Sequence, residues 1–439
     1  MTIALAAVVA ITDQAWAENT VKDRKGAVRD DKRDLQDSRR WIYNDYRAAL
    51  AKGKESGKPV LVTLRCVPCL ACAGFDGEVL RERTELTPLL DEFICCRVIT
   101  TNDLDLSMFQ WDYDLSFSAF FFNGDGTLYG RFGSWTHQRD GKSKNTKGMK
   151  AALEGVLALH KRYPANKDSL AGKQAPPIPY KTPPDIPGLT GKYSNSLNWK
   201  GDVVRSCIHC HDVGGAIRET YRNKGKPVPD EWMFPFPQPE TIGLRLADDA
   251  RAQVLSVESG SIATTAKLRA GDEILSLDGQ PLVSIADFTW VLHRASAKET
   301  IPMLVRRGGK LEKLQFDLTD GWRERPDNTK RVGLWPMRML VLGGMVLKSA
   351  DDPARSRLRL GDDKMGLVVD YLVTQGRQTS ALRAGFKLGD VVIRVDGDAG
   401  RLSEHQLIAQ LMRTKFRGTS VTFTVLRGGR EVDLKIAMR

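Results

Sequence analysis

One pattern is written twice in this chain, and a duplication constrains a fold more tightly than composition does. Leu268-Arg269-Ala270-Gly271-Asp272-Glu273-Ile274-Leu275-Ser276-Leu277-Asp278-Gly279 returns as Leu382-Arg383-Ala384-Gly385-Phe386-Lys387-Leu388-Gly389-Asp390-Val391-Val392-Ile393-Arg394-Val395-Asp396-Gly397, with the first copy shortened between Gly271 and Asp272. Each copy ends downstream in a matching hairpin, residues 304–310 and 425–430, built around Arg-Gly-Gly. Internal similarity at this spacing marks a duplicated domain. At 439 residues the chain exceeds one ordinary core, so the two copies leave room for roughly one further domain upstream.

The repeated motif resembles PDZ domains of the bacterial secreted type, in which A-G-x-x-x-G-D-x-I-x-x-x-D/N-G joins a helix to a strand and turn. The resemblance covers about 239–318 and 342–438. It implies binding of protein C-termini or extended peptides, added as a strand, with backbone N–H groups of a small apolar loop holding the carboxylate. That loop would be Ile242-Gly243-Leu244 in the first copy and Gly343-Gly344-Met345-Val346 in the second. The helices lining the grooves would run from Ile285 to Ala295 and from Glu404 to Met412. His293 and His405 on them are expected at the surface or half-buried, not against ligand. Residues 320–339, with Trp322 and Trp335, read as a packed connector.

Upstream of the repeats stands Cys207-Ile208-His209-Cys210-His211, a C-x-x-C-H motif. At this spacing two thiols can bond a haem while the following imidazole reaches the iron. Met233 is the only methionine close downstream and is the expected sixth ligand, so the iron would sit between His211 and Met233. A disulfide between Cys207 and Cys210, or a metal site, is the competing use of the same cysteines. The segment 199–237 is short for a whole cytochrome c domain, so a haem there would lean on a neighbouring domain.

Residues 1–17 contain an apolar run from Ile3 to Ile11, too short to span a bilayer, followed by Ala15-Trp16-Ala17. Small residues at those positions are what a signal peptidase reads, so export with cleavage before Glu18 is expected, and no transmembrane segment remains after cleavage. Export suits both haem attachment and lasting disulfides. A net charge of +12 raises the question of nucleic acid, but no basic stripe with interleaved aromatics appears, and nucleic-acid binding is excluded.

The charged stretch 18–40 reads as a solvated leader or exposed helix, and 41–50 as an amphipathic helix. Val60-Leu61-Val62-Thr63-Leu64 is a buried strand by its apolar, partly β-branched run. Directly after it come Cys66, Cys69 and Cys72, two overlapping C-x-x-C pairs at a strand-to-helix junction. A helix N-terminus there stabilises a thiolate, and two-residue spacing brings two sulfurs together. Cys95 and Cys96 lie on the next strand, facing opposite sides, and are expected to be buried small hydrophobes. The strand at 118–122, the turn Asn123-Gly124-Asp125-Gly126, the returning strand 127–132 and a helix from Met149 to His160 complete the unit.

This arrangement resembles the thioredoxin superfamily, specifically secreted members with Lys-Pro-Val-x-Val ahead of the motif. The gapless match puts the attacking cysteine on Cys69 and the resolving one on Cys72, with Cys66 as a third partner; Cys66 with Cys69 is the alternative pair. Phe117 stands where that family has a cis-proline. Prolines crowd 163–198, which reads as an extended linker between domains.

The expected fold is multidomain: an α/β thioredoxin-like domain at 41–162, a short haem-motif segment at 199–237, and two mixed α+β PDZ domains at 238–320 and 342–439, joined by a connector at 321–341. The whole order resembles a bacterial family of thioredoxin-like and PDZ proteins, some members of which are selenoproteins. The resemblance implies an exported, periplasmic thiol/disulfide redox protein with a c-type haem, whose PDZ modules recruit peptides or proteins and which has a redox partner. The alternative is a non-catalytic PDZ scaffold whose cysteines are structural. A PDZ-bearing serine protease is excluded, because no G-x-S-x-G motif and no protease-sized domain accompany the repeats.

Overall fold

The structure is a computed structural model and describes residues 23–67, 85–134, 146–325, 331–376 and 378–438. Cys69, Cys72 and the export signal at 1–17 lie outside the described residues. The chain folds as two units. The first comprises residues up to Cys210 together with 236–322, and the second comprises 211–235 and 323–439. Among the described residues no helix is long and apolar enough to cross a membrane.

The first unit opens with helix α1 (Arg24–Leu35), strand β1 (Trp41–Tyr43), helix α2 (Tyr46–Ser56) and strand β2 (Val60–Arg65). It continues through β3 (Ile94–Val98), β4 (Phe117–Phe122), β5 (Leu128–Phe132) and α3 (Thr146–His160). The sheet order is β1-β3-β2-β4-β5, with β1 and β2 parallel to β3 and β4 antiparallel to both neighbours. All six residues of β2 and of β4 are buried, as expected of central strands covered on both faces.

Two expectations for this stretch change. Trp41 to Tyr43 is a strand, because it pairs with Cys95 to Arg97, and the helix starts only at Tyr46, where Asp45 accepts the Ala48 N–H at 2.9 Å. The charged leader is not merely solvated. Its α1 buries Val28 and brings Asp31 onto Arg97, and that ion pair is almost wholly shielded.

The stretch 163–198 is packed rather than extended. Leu170, Lys173, Pro183, Pro184 and Ile186 are buried in it, and the Ala175 N–H donates to Gln110 Oε1 at 2.8 Å. Ordering it there satisfies backbone groups that a free linker would leave to water.

The first PDZ copy completes this unit with β6 (Leu244–Leu246), β7 (Val254–Val257), β8 (Glu273–Leu277), β9 (Gln280–Pro281), a groove helix at Ile285–Arg294, β10 (Glu299–Arg307) and β11 (Lys310–Leu318). In chain order helix α4 (Cys210–Asn223) precedes it, so the groove helix is α5. The second unit holds most of α4, then α6 (Leu334–Val341), β12 (Met345–Ser349), β13 (Leu367–Leu372), β14 (Val391–Val395), α7 (Glu404–Thr414), β15 (Ser420–Arg427) and β16 (Arg430–Ala437). Its five strands form one sheet in the order β12-β13-β14-β15-β16.

The repeated residues have a shared physical role. The buried Asp272 accepts the Arg269 N–H at 2.8 Å and two bonds from Arg307, at 2.8 Å each. Asp390 does the same with the Lys387 N–H at 2.8 Å and with Arg427 at 2.7 and 2.6 Å. The Gly-Asp and the Arg-Gly-Gly are thus two ends of one charge-assisted clamp, made twice. Burial raises the Asp272 carboxyl, but the hydrogen bonds from Arg307 and the Arg269 N–H, together with the positive charges of both arginines, outweigh it and hold the group below the usual carboxylate range. Asp278-Gly279 and Asp396-Gly397 both take positive φ at each residue, 49° and 72° in one and 49° and 87° in the other, the backbone of a tight hairpin turn.

Candidate functional site

Strand β2, the middle strand of the sheet, ends at Arg65 and leads directly to Cys66, whose N–H donates to the Ser116 carbonyl at 2.9 Å. Its sulfur lies 3.9 Å from Nδ1 of His209, a residue 143 positions away. Cys66, Cys207, His209 and Cys210 line one apolar, partly open cavity, walled further by Val28, Leu64, Ile99, Leu197 and Val203. Cys66 and both thiols of the C-x-x-C-H motif therefore share one chamber.

Asn102 builds this arrangement. It is fully buried, accepts the Ile208 N–H at 2.8 Å, and donates to the carbonyls of Ser194 at 2.7 Å and Ser206 at 2.9 Å. Thr101 adds a bond to the Ile208 carbonyl at 2.8 Å. Helix α1 closes one side: Lys25 pairs with Asp202 at 2.9 Å, and Arg29 donates to the Gly201 carbonyl at 3.1 Å. The sequence carried no signal for Asn102 or Thr101, because an asparagine just after a strand looks like any loop residue.

The residues expected to hold a haem are divided between the two units. Cys207 and Cys210 close the first unit, whereas His211 and Met233 belong to the second. His211 is half-exposed with its Nδ1 3.3 Å from Asp212 Oδ1, and Met233 is buried. The two thiols open on a cavity walled by His209, not His211. A covalent haem needs both thioethers and the His211 imidazole on one macrocycle. Among the described residues no group of three or more His, Cys, Asp and Glu is placed to hold a metal ion. Cys95 and Cys96 are buried, and burial pushes the Cys95 thiol up to about 12.

Both loops expected to hold a peptide carboxylate contain glycines at positive φ. Gly243 has φ of 73°, and a Cβ there would meet Ser261 Cβ at 2.2 Å; Gly343 and Gly344 have φ of 60° and 88°. Ile242, Leu244 and Met345 are buried and Val346 is half-buried.

The grooves beside these loops are not free. In the first copy α5 is buried along its length up to His293, held by the thioredoxin-like sheet. Asp287 accepts the Arg131 N–H at 3.0 Å and lies 2.8 Å from Lys173 Nζ; the Trp290 indole donates to the Gly172 carbonyl at 2.9 Å. Phe236 stacks on His293 at 4.3 Å.

In the second copy the Glu404 carboxylate accepts two bonds from Arg338 of α6, at 2.9 and 2.5 Å, and the Leu347 N–H of β12 at 2.8 Å. β12 is the edge strand to which a peptide would add, so one of its ladder donors is already taken. His293 and His405 are both buried, against expectation: His293 packs under Phe236, and His405 bonds the Glu324 carbonyl at 3.0 Å.

Comparison with known proteins agrees with this anatomy. A thioredoxin-like family model matches residues 41–124, and a PDZ domain model matches 240–318 and 350–438. A serine protease Do-like HtrA of Lactobacillus helveticus is 30% identical over 95 residues, which cover 21% of this chain and 22% of that protein. Two structures of the HtrA-type protease AlgW, a variant with a decapeptide and another form with a tripeptide, share 20% and 16% identity. They align over 31% and 33% of this chain and 40% and 54% of theirs, each at a TM-score of 0.20. The chain thus spans about a fifth of the protease sequence and roughly half of the structures it matches. With the duplicated Asp–Arg clamps and the five-stranded sheet whose central strand leads to Cys66, the two family models identify the chain as a thioredoxin-like domain followed by two PDZ domains.

Proposed function

We infer that the protein is an exported thiol/disulfide exchange protein, with reactive cysteines at the end of β2 and PDZ copies that recruit peptide or protein partners. The observation that carries this reading is Cys66 facing His209 at 3.9 Å, in a cavity shared with Cys207 and Cys210. Four such side chains, drawn from segments far apart in sequence, are more than a bracing disulfide requires. An imidazole beside a thiol also supplies a proton acceptor for thiolate formation. Cys69 and Cys72 extend the reactive set by sequence, Cys69 standing at C-x-x-C spacing from both Cys66 and Cys72.

The test is reaction of the reduced chain with oxidised glutathione, following glutathione release. Cys66→Ser and Cys69→Ser are each expected to abolish fast release, and Cys72→Ser to spare it if Cys66 and Cys69 are the working pair. Wild-type chain whose thiols exchange no faster than free cysteine would support the scaffold reading instead. Covalent haem, the other use of Cys207, Cys210 and His211 with Met233, is read from a pyridine haemochrome spectrum of chain exported by a host competent in cytochrome c maturation.

A further inference from the structure

We propose that Cys207 and Cys210 form a second redox dithiol that exchanges with Cys66 inside the same molecule, so that the C-x-x-C-H motif recharges the thioredoxin-like cysteines. The proposal rests on the thiol/disulfide reading above and adds its internal electron donor. Cys207 and Cys210 flank His209 in sequence, and His209 is the residue whose ring nitrogen reaches the Cys66 sulfur. All three cysteines line the same apolar cavity.

The loop that carries the pair is anchored rather than loose. Asn102 and Thr101 make hydrogen bonds of 2.7 to 2.9 Å to Ser194, Ser206 and Ile208, which fix the approach of the dithiol to the end of β2. Cys210 also opens α4, a helix of 14 residues, where the N-terminal dipole favours a thiolate.

The exchange balances without an external reductant. A thiolate of the Cys207/Cys210 pair attacks the Cys66 sulfur of the mixed disulfide that Cys66 forms with oxidised glutathione; that S–S bond breaks, a disulfide forms between Cys66 and the motif cysteine, and glutathione leaves as thiolate. The second thiol of the pair then attacks its neighbour's sulfur, closing a Cys207–Cys210 disulfide and releasing Cys66 as thiolate. Two electrons pass from the Cys207/Cys210 dithiol to the disulfide between Cys66 and glutathione, and two protons follow. His209 is placed to protonate Cys66 as it leaves.

Trapping tests this in the full chain. Cys207→Ser and Cys210→Ser are each oxidised with oxidised glutathione, quenched with N-ethylmaleimide and digested without reductant for mass spectrometry. One of the two is expected to accumulate a peptide linking Cys66 to the remaining motif cysteine. In the wild-type chain, given one equivalent of oxidised glutathione, the disulfide should appear first at Cys66 and then at Cys207–Cys210, with no glutathione adduct on the latter pair.

Glutathione adducts on Cys207 or Cys210 forming as fast as those on Cys66, or no cross-linked peptide in either variant, would overturn the relay. The thiol/disulfide reading would survive if wild-type chain still consumes oxidised glutathione at Cys66. If it does not, both fall. A haem-bearing peptide spanning Cys207 to His211 would likewise overturn the relay, since both sulfurs would then be thioethers.

Discussion

Replacing Asp287 by asparagine is expected to loosen the join between the thioredoxin-like domain and the first PDZ copy, and the structure permits a magnitude. Asp287 is almost fully buried, accepts the Arg131 N–H at 3.0 Å and the Val283 N–H at 3.0 Å, and forms an ion pair with Lys173, whose fully buried Nζ lies 2.8 Å away. Burial lowers the Lys173 pKa, and it brings Arg131 down to about 10, with Asp287 partly offsetting both shifts.

Removing the anion leaves two buried cations without their compensating charge, a change that costs about 3–5 kcal/mol when one partner of a buried pair is lost. The asparagine amide also turns N–H groups toward one of the two backbone donors. That cost of about 1–3 kcal/mol overlaps the first rather than adding to it. Asp287→Asn should therefore destabilise the first unit by about 3–5 kcal/mol in urea unfolding. Hydrogen exchange at the Arg131 and Val283 amides should quicken. Adding Lys173→Met removes one stranded cation and should restore about half of the loss. A single variant within about 0.5 kcal/mol of wild type, or a double variant whose effects simply add, would refute the argument that charge compensation holds this seam.

Further outcomes follow from other contacts. A Cβ on Gly130 would meet Val283 Cγ2 at 2.3 Å and Asp287 Oδ2 at 2.6 Å, so Gly130→Ala should cost about 1–3 kcal/mol in the same unfolding assay, through crowding alone. Asn102→Ala should slow cross-linking of Cys66 to the motif cysteines while leaving the reactivity of Cys66 toward oxidised glutathione within about twofold, because Asn102 holds the 206–208 loop and not Cys66. The Cys95 thiol is raised to about 12 by burial, so its contribution to stability is complete below pH about 9 and is lost as pH rises toward 12. Cys95→Ala should therefore flatten the alkaline limb of stability by up to about 1.4 kcal/mol per pH unit in that window, measured by urea midpoints. Glu404→Gln keeps an acceptor for Leu347 but weakens the hold on Arg338; it should destabilise the second unit by about 2–4 kcal/mol and raise its affinity for C-terminal peptides, read by fluorescence polarisation.

What could be read from the sequence was local or repeated. The apolar runs of β2 and β4, the Asn-Gly-Asp-Gly turn, the helix ending at His160 and both PDZ copies have signals within a few residues, or a second copy to compare with. Ser403 and Gln406 even form the reciprocal cap that starts α7. What could not be read was pairing across long separations. Asp31 looked like one more charge in a solvated leader, yet its partner is Arg97, 66 positions away. Lys173 looked like linker and is wholly buried against Asp287. Residue type announces a charge, but only the fold decides whether the charge is dry.

The same distinction bears on the candidate sites. A C-x-x-C-H spacing specifies how far apart two thiols and an imidazole can be, not which surface they face. Here the loop before α4 is pinned by Asn102, so Cys207, His209 and Cys210 turn into the cavity with Cys66, while His211 lies on the first turn of α4 beside Asp212. For the PDZ copies, the loop glycines set the backbone but not the access. In the first, the groove helix is occupied on one side by Phe236 and on the other by the thioredoxin-like sheet; in the second, Glu404 has claimed the Leu347 N–H. A peptide adding to β12 must displace that carboxylate and leave Arg338 with a new partner. An incoming C-terminal carboxylate is itself an anion, so the group that opens the groove is of the kind that can replace what it expels.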